Sequence, residues 1–479
     1  MIHSSHRKLL IVAAVVLLLG AAGAVYVVTQ TGEQGNDVRV AGTGCGSLDD
    51  MPAPEPLDTA NDHRMLDVVE PADEPEAEAP VPEPAPEPVY GEPVYVTGAY
   101  NNPGREHGKK PGQAFATLEW LKDHQNEAGY WSAADFGKNS GREGAAATHA
   151  LDEDYGDATA DAGAWDGDLG VTSLALLTFL GAGYDHKSLD YFRVMRKALI
   201  WMREQQRDGE FINARGTRDQ ALATLAFAES YGMSGDPVLK KNVESAAAYL
   251  VKQRMPDGGW GEFAGAEADI ISTAYVVGAL KSASISGLEV DKLAYERLGD
   301  FLDSLATAPG VTRYSTLRLD PPVGEKDGFT RAPVATAAWM VTAILTGRHK
   351  AKDKEITDRA DLLLREENLP KWERGRIDYA YWWLATQAMY QVGGGRWNTW
   401  QKPMSEALVA HQRGYSETDK KQGWDGADKL DEHGSWDAAD IWNLDGRVST
   451  TALANLCLQT YYRYARLEKD HEGKLTQRG

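Results

Sequence analysis

Apolar positions recur with helical spacing from about Gln113 onward, and no convincing run of strict alternation marks a strand. Two kinds of helix follow from this pattern. One kind carries a charged face and an apolar face, over 114–125, 189–206, 236–253, 290–305, 352–368 and 396–412. In the third of these, Val243, Ala246, Ala247, Leu250 and Val251 form a single stripe at i, i+3, i+4, i+7 and i+8, as a helix lying on a core requires. The other kind is small, apolar and almost uncharged, over 170–179, 221–227, 270–280, 334–341, 379–386 and 448–456. A helix that is apolar on every side belongs in an interior. The two kinds alternate strictly, outer then inner, six times, and repetition at this scale signals an array. Six inner helices surrounded by six outer ones close into a ring, so the pattern predicts an all-α fold, an (α/α)6 toroid. The first residues of successive inner helices are 51, 49, 64, 45 and 69 apart, which places insertions in the later repeats.

A second repetition is laid over the first. Leu118, Trp120 and Leu121 lead through Gln125 and Gly129 to Trp131; Leu199, Trp201 and Met202 lead through Gln205, Gln206 and Gly209 to Phe211. Leu250 leads through Gln253, Gly258 and Gly259 to Trp260, and a stretched copy runs from Leu408 through Gln412 and Gly434 to Trp436. A Gln at a helix C-terminus can hydrogen-bond free carbonyls, or stack its amide beneath the aromatic after the Gly turn. Either contact pins one outer helix to the next, so these residues read as structural. The copies resemble the QW repeat of the terpenoid cyclase and protein prenyltransferase superfamily over roughly 113–467, and are most similar to bacterial membrane-anchored members with squalene-cyclase and prenyltransferase repeats. The resemblance implies the same toroid. It carries no activity with it, because one fold hosts many chemistries.

Charge and composition separate the rest of the chain from the toroid. Of the net charge of -21 across 479 residues, -13 falls between Asp49 and Gly98, where 14 acidic residues face one arginine. Eleven of the 21 prolines lie in the same stretch. Such a segment cannot bury a core, so residues 31–112 read as an extended, self-repelling stalk. Residues 9–28 carry no charge and follow Arg7 and Lys8, long enough to span a bilayer as a helix with the N-terminus cytoplasmic. The expectation is an anchor over 1–30, contacting the lipid bilayer through 9–28 and holding the toroid on the extracytoplasmic side, with 468–479 a charged tail. A cleaved signal peptide is the competing reading. No basic stripe argues for nucleic acid as a partner.

Candidate chemistry gathers just before the inner helices, where a toroid brings loops around its mouth. Asp166, Asp168, Arg218, Asp219, Asp269, Asp378 and Arg447 are the candidate binding residues, with Glu267, Arg331, Arg376 and Asp445 beside them. Each carboxylate also suits a helix N-cap. Asp168, Asp269 and Arg218 are the catalytic candidates. The resembled cyclases begin with an Asp-x-Asp-Asp-Thr-Ala acid motif; here Asp269-Ile270-Ile271-Ser272-Thr273-Ala274 keeps the first carboxylate and places Ile271 and Ser272 at the acid positions. The resembled prenyltransferases hold zinc with an Asp and a Cys two residues apart; Cys457 has Asn455 there instead. No metal site and no cofactor is therefore expected. A glycosidase would need two carboxyls about 5 Å or roughly 6.5–9.5 Å apart. Asp166 or Asp168 with Asp269 or Asp378 are the candidates, and a polysaccharide lyase would use Arg218 as base. With both family signatures broken, the leading expectation is a binding or scaffolding module for an apolar, peptide or glycan ligand. An enzyme with a rearranged site, acting on an isoprenoid or a polysaccharide, is the alternative.

Overall fold

The structure is a computed structural model that describes residues 15–18, 25–28, 113–147, 161–187, 190–307, 310–442, 445–463, 466–469 and 475–478. The chain divides into two units, residues 1–78 and 79–479. In the first, β1 (Val15–Leu18) pairs antiparallel with β2 (Val25–Val28). The helix expected over 9–28 is thus not what the described part of that run forms; its valines favour strand geometry. The rest of that run and the 31–112 stalk lie outside the described residues. Among the described residues no helix is long and apolar enough to cross a membrane. At the C-terminus the expected tail includes two short strands instead, Arg466–Lys469 and Leu475–Arg478, paired antiparallel.

The second unit holds thirteen helices among its described residues. Six are inner: α2 (Asp168–Gly181), α4 (Thr217–Ser234), α6 (Ile270–Ile285), α8 (Val334–Leu345), α10 (Tyr379–Val392) and α13 (Gly446–Arg463). Each packs against the next, and α13 returns to α2, closing the ring. Six are outer: α1 (Gln113–Asp123), α3 (Phe192–Glu204), α5 (Pro237–Lys252), α7 (Leu298–Leu305), α9 (Lys354–Leu363) and α11 (Gly394–Ala410). They sit over the seams; α5 packs on α4 and α6, and α9 on α8 and α10. A six-residue helix, α12 (Glu417–Gln422), belongs to the last insertion.

Burial follows the two sequence patterns. Every residue of α2 after Asp168 is buried, and so is every residue of α8 except Leu345. By contrast α3 buries Met195, Ala198, Leu199 and Met202, one stripe at i, i+3, i+4 and i+7. Small residues let inner helices approach closely. A Cβ on Gly170 would stand 2.6 Å from Asp219 Oδ1, so that carboxylate rests directly on the α2 backbone.

The repeated Gln, Gly and aromatic residues tie outer helices to one another and to the inner ring. Gln125 Nε2 donates to Val194 O in α3 at 2.8 Å, Gln206 Nε2 to Asn242 O in α5 at 3.0 Å, and Gln412 Nε2 to Gln113 O in α1 at 2.8 Å. The third copy uses arginine instead: Arg254 Nη1 donates to Glu296 O at 2.6 Å. The indoles of Trp131, Trp260 and Trp436 donate to Leu121 O, Leu250 O and Leu408 O at 2.7, 2.7 and 2.8 Å. The backbone N–H of each of these tryptophans donates to a threonine in an inner helix, Thr172, Thr273 and Thr451. At Phe211 the acceptor is Gln220 Oε1 at 2.8 Å. The Thr-Ala pair after Asp269 therefore has a structural role, since Thr273 clamps Trp260.

Candidate functional site

Inner-helix N-termini share one end of the ring. Ion pairs there join segments far apart in sequence: Arg218 with Asp445, Arg331 with Asp378, and Arg447 with Asp161. A cavity of about 270 Å³ opens at this end and is lined from all six inner helices. Leu174, Leu222 and Leu453 lie one and a half to two turns inside their helices and form an aliphatic floor. Higher up, Ile271, Tyr275, Val334 and Ala380 continue the wall. Arg218, Glu262, Asp269, Tyr314, Arg331 and Trp442 surround the mouth, and Pro321, Pro322 and Val323 reach over it from the long connection between α7 and α8. A second cavity, of about 260 Å³, shares Pro321, Arg331 and Val334 with the first.

Most mouth charges neutralise one another. Arg215 Nη1 stands 2.8 Å from Asp445 Oδ1 and its Nε 2.8 Å from Asp219 Oδ2, while Arg218 pairs with Asp445 from the other side. Burial alone would raise the Asp445 carboxyl, but Arg218 and Arg215 overcome it and hold it down at about 2. The same carboxylates outweigh the burial of Arg218 and keep its guanidinium above its ordinary value. Arg331 binds Asp378 in a fork, Nε to Oδ2 at 2.6 Å and Nη2 to Oδ1 at 3.2 Å. Asp378 also caps α10 through Tyr381 N at 2.9 Å. Behind it Asp440 accepts from the Tyr379 and Trp442 N–H groups, both at 2.8 Å. Burial and the nearby Asp378 charge push the Asp440 carboxyl up.

Asp269 differs from these. It caps α6 through Oδ1, which accepts from Ser272 N at 2.8 Å. Its residue is 2% exposed, and Oδ2 has no hydrogen-bond partner of ordinary geometry, although the Tyr314 phenol is near enough to interact. Burial pushes this carboxyl up to about 6 against the lowering effect of the Ser272, Ile271 and Tyr314 groups. Across the mouth, on the segment before α13, the Trp442 indole N–H is also buried without a partner, and its ring lies 5.9 Å from the Arg331 guanidinium carbon.

Of the candidates named from sequence, the cavity is lined by Arg218 and Asp269, with Arg331 from beside them. Asp166 is exposed. Asp168 is half-buried and accepts from Ala133 N at 2.9 Å; burial raises its carboxyl. Asp219 is buried beneath Arg215. Arg447 is fully buried and seals the seam between Asp161 and Asp437, at 2.6 and 2.5 Å. Of the four carboxylates expected to pair, only Asp269 lines the cavity: Asp168 accepts from a backbone N–H, Asp378 is held by Arg331, and Asp166 is exposed. Asp445 and Asp219 hold Arg218 in its charged form, opposite to the form a base needs. Sequence reasoning missed Glu262, Tyr275, Tyr314, Pro321 and Trp442. The one available signal for Tyr314 and Pro321 was the 64-residue spacing between the third and fourth inner helices.

Fold and cavity together define an α/α toroid. No protein-family model matches this chain, and no curated protein sequence does. Similar solved structures include the GH76A α-1,6-mannanase from Salegentibacter sp. HEL1_6, at 11% identity over 73% of this chain and 97% of that one, TM-score 0.47. A novel α-amylase from Clostridium perfringens is similar at 10% identity over 73% and 97%, TM-score 0.46. The type II terpene cyclase MstE from Scytonema is similar at 14% identity over 73% and 96%, TM-score 0.43. The toroid itself rests on the closed ring of inner helices described above.

Proposed function

We propose that the toroid is a binding module whose lumen accepts a small ligand with an apolar body and a polar end. The observation that carries this is the cavity itself: six helices contribute to its wall, its floor is aliphatic, and it is lined by Asp269, whose buried Oδ2 has no hydrogen-bond partner of ordinary geometry. A buried polar atom without a partner costs about 1–3 kcal/mol, a cost that a bound ligand removes. At about 270 Å³ the cavity equals roughly nine water volumes and falls just below the usual range for small-molecule sites. A larger ligand would extend from the mouth. Saturation-transfer NMR with cyclohexanol on the full-length protein tests the reading. Contact should be lost in Leu222→Trp, which fills the floor, and in Ile271→Trp, with melting temperatures near wild type. Equal transfer in all three proteins sinks it.

A second reading has one specific support. Asp269 is a lone carboxyl partly protonated near neutrality, the state a general acid needs. On this reading the protein is an enzyme acting on an isoprenoid or polysaccharide, and turnover disappears in Asp269→Asn while Asp168→Asn retains it. The proposal extends to placement: Arg7 and Lys8 ahead of the uncharged 9–28 run support export of the toroid to the extracytoplasmic side. Labelling of Cys45 by a membrane-impermeant thiol reagent in intact cells is the expected outcome; labelling only after lysis contradicts it.

A further inference from the structure

Among the described residues, two buried side chains that line the lumen each have a polar atom without a hydrogen-bond partner of ordinary geometry, and they stand on opposite sides of the ring. Asp269 precedes the third inner helix and Trp442 the sixth. Each is at least nine-tenths buried, at 2% and 9% exposure. Asp269 Oδ2 asks for a donor and Trp442 Nε1 for an acceptor. Neither atom has a hydrogen-bond partner of ordinary geometry in the fold, although the Tyr314 phenol lies close to the Asp269 carboxyl and other buried groups around them are fully engaged. Asp440 accepts two backbone N–H groups, and Asp378 is filled by Arg331 and Tyr381.

The charges around the same wall narrow the choice. Both lining arginines already hold carboxylates, Arg218 through Asp445 and Arg331 through Asp378. A ligand anion would therefore meet Asp269 and Glu262 without an unengaged guanidinium to offset them. A ligand ammonium could donate to Asp269 but has no lone pair with which to accept from the Trp442 N–H. Between the two polar sites the surface is apolar: Leu222 and Leu453 below, Tyr275 at the side, Pro321 and Pro322 above. Building on the lumen-binding reading, we propose that the ligand class is a neutral, hydroxyl-bearing molecule. One hydroxyl donates to Asp269, a second oxygen accepts from Trp442, and an apolar ring or chain lies between them.

A matched set of cyclohexane derivatives tests this with the full-length protein. The set is 1,4-cyclohexanedimethanol, its bis-methyl ether, 1,4-bis(aminomethyl)cyclohexane and cyclohexane-1,4-dicarboxylate. Affinities are measured by titration NMR at pH 8. The diol should bind about 10-fold or more tightly than the diamine and the dicarboxylate, and also more tightly than the ether, which cannot donate. Trp442→Phe should weaken the diol by roughly 3- to 10-fold, the value of one neutral hydrogen bond. Asp269→Asn keeps the α6 cap through its oxygen and turns an N–H to the cavity, so the preference for diol over ether should vanish. Leu222→Trp and Ile271→Trp should abolish binding of every member. If the charged members bind as well as the diol, or neither polar substitution changes diol affinity, the hydroxyl assignment is overturned while the lumen reading stands. If no member shows binding that the two lumen-filling substitutions remove, the lumen reading falls, and this inference with it.

Discussion

Asp269 carries a stability signature of its own. Its carboxyl sits at about 6 in the fold against an ordinary 3.8, so the fold favours the protonated form. The group is neutral in both states below about pH 4 and costs nothing there. As pH rises through 4 to 6 the unfolded chain ionises first and stability falls; above 6 the full cost, about 3 kcal/mol, is in place. Asp269→Asn should therefore match wild type in urea denaturation at pH 4 and exceed it at pH 7.5 by up to that amount. Asp445 has the opposite sign. Its carboxyl is held at about 2, so its contribution is complete above about pH 4 and is lost as pH falls toward 2. Asp445→Asn should remove about 2 kcal/mol at pH 7 and narrow its deficit below pH 3. Neither sign is legible in sequence. Both residues precede inner helices as ordinary caps would, and only the distant partners, Arg215 and Arg218 for one and an apolar wall for the other, separate them.

The elements themselves were legible because their signals are local. An outer helix shows its stripe within its own residues, and the inner helices show their lack of one. The Gln–Gly–aromatic copies were also readable as ties between helices, though the target was not: Gln412 reaches a carbonyl 299 positions away, in α1. Loops hid the rest. Tyr314 and Trp442 reach the mouth through turns whose course is set by packing, with no periodicity to mark them. The turn glycines test how tight these ties are. Gly129 has φ +103, and a Cβ there would lie 2.4 Å from Lys197 O. Gly129→Ala should lower stability by about 2–4 kcal/mol, from strain and displacement of α3 together, measured as a drop in the urea midpoint. Trp131→Phe keeps an aromatic ring but removes the bond to Leu121 O and leaves a small cavity, so a loss of about 2–3 kcal/mol is expected, read as a drop in the urea midpoint.

At the scale of the molecule, stability depends on closing the ring. The last inner helix meets the first at α13 and α2, and Arg447 locks that seam between Asp161 and Asp437 while its Nη1 donates to Ser435 at 2.8 Å. Arg447→Ala takes the guanidinium from the buried Asp161, while Asp437 keeps Arg413 at 3.1 Å, and should cost about 3–5 kcal/mol, with hydrogen exchange rising first in α13 and α2. The same closure has a consequence for the order of the chain. Outer and inner helices run in opposite directions, so Gln113 at the start of α1 and Arg463 at the end of α13 arrive together at the end away from the mouth, on helices that touch. The ring has no intrinsic first repeat. A circularly permuted chain, joined there by a short linker and opened at the exposed Gly287 turn, should fold to the same helical content and retain the cavity.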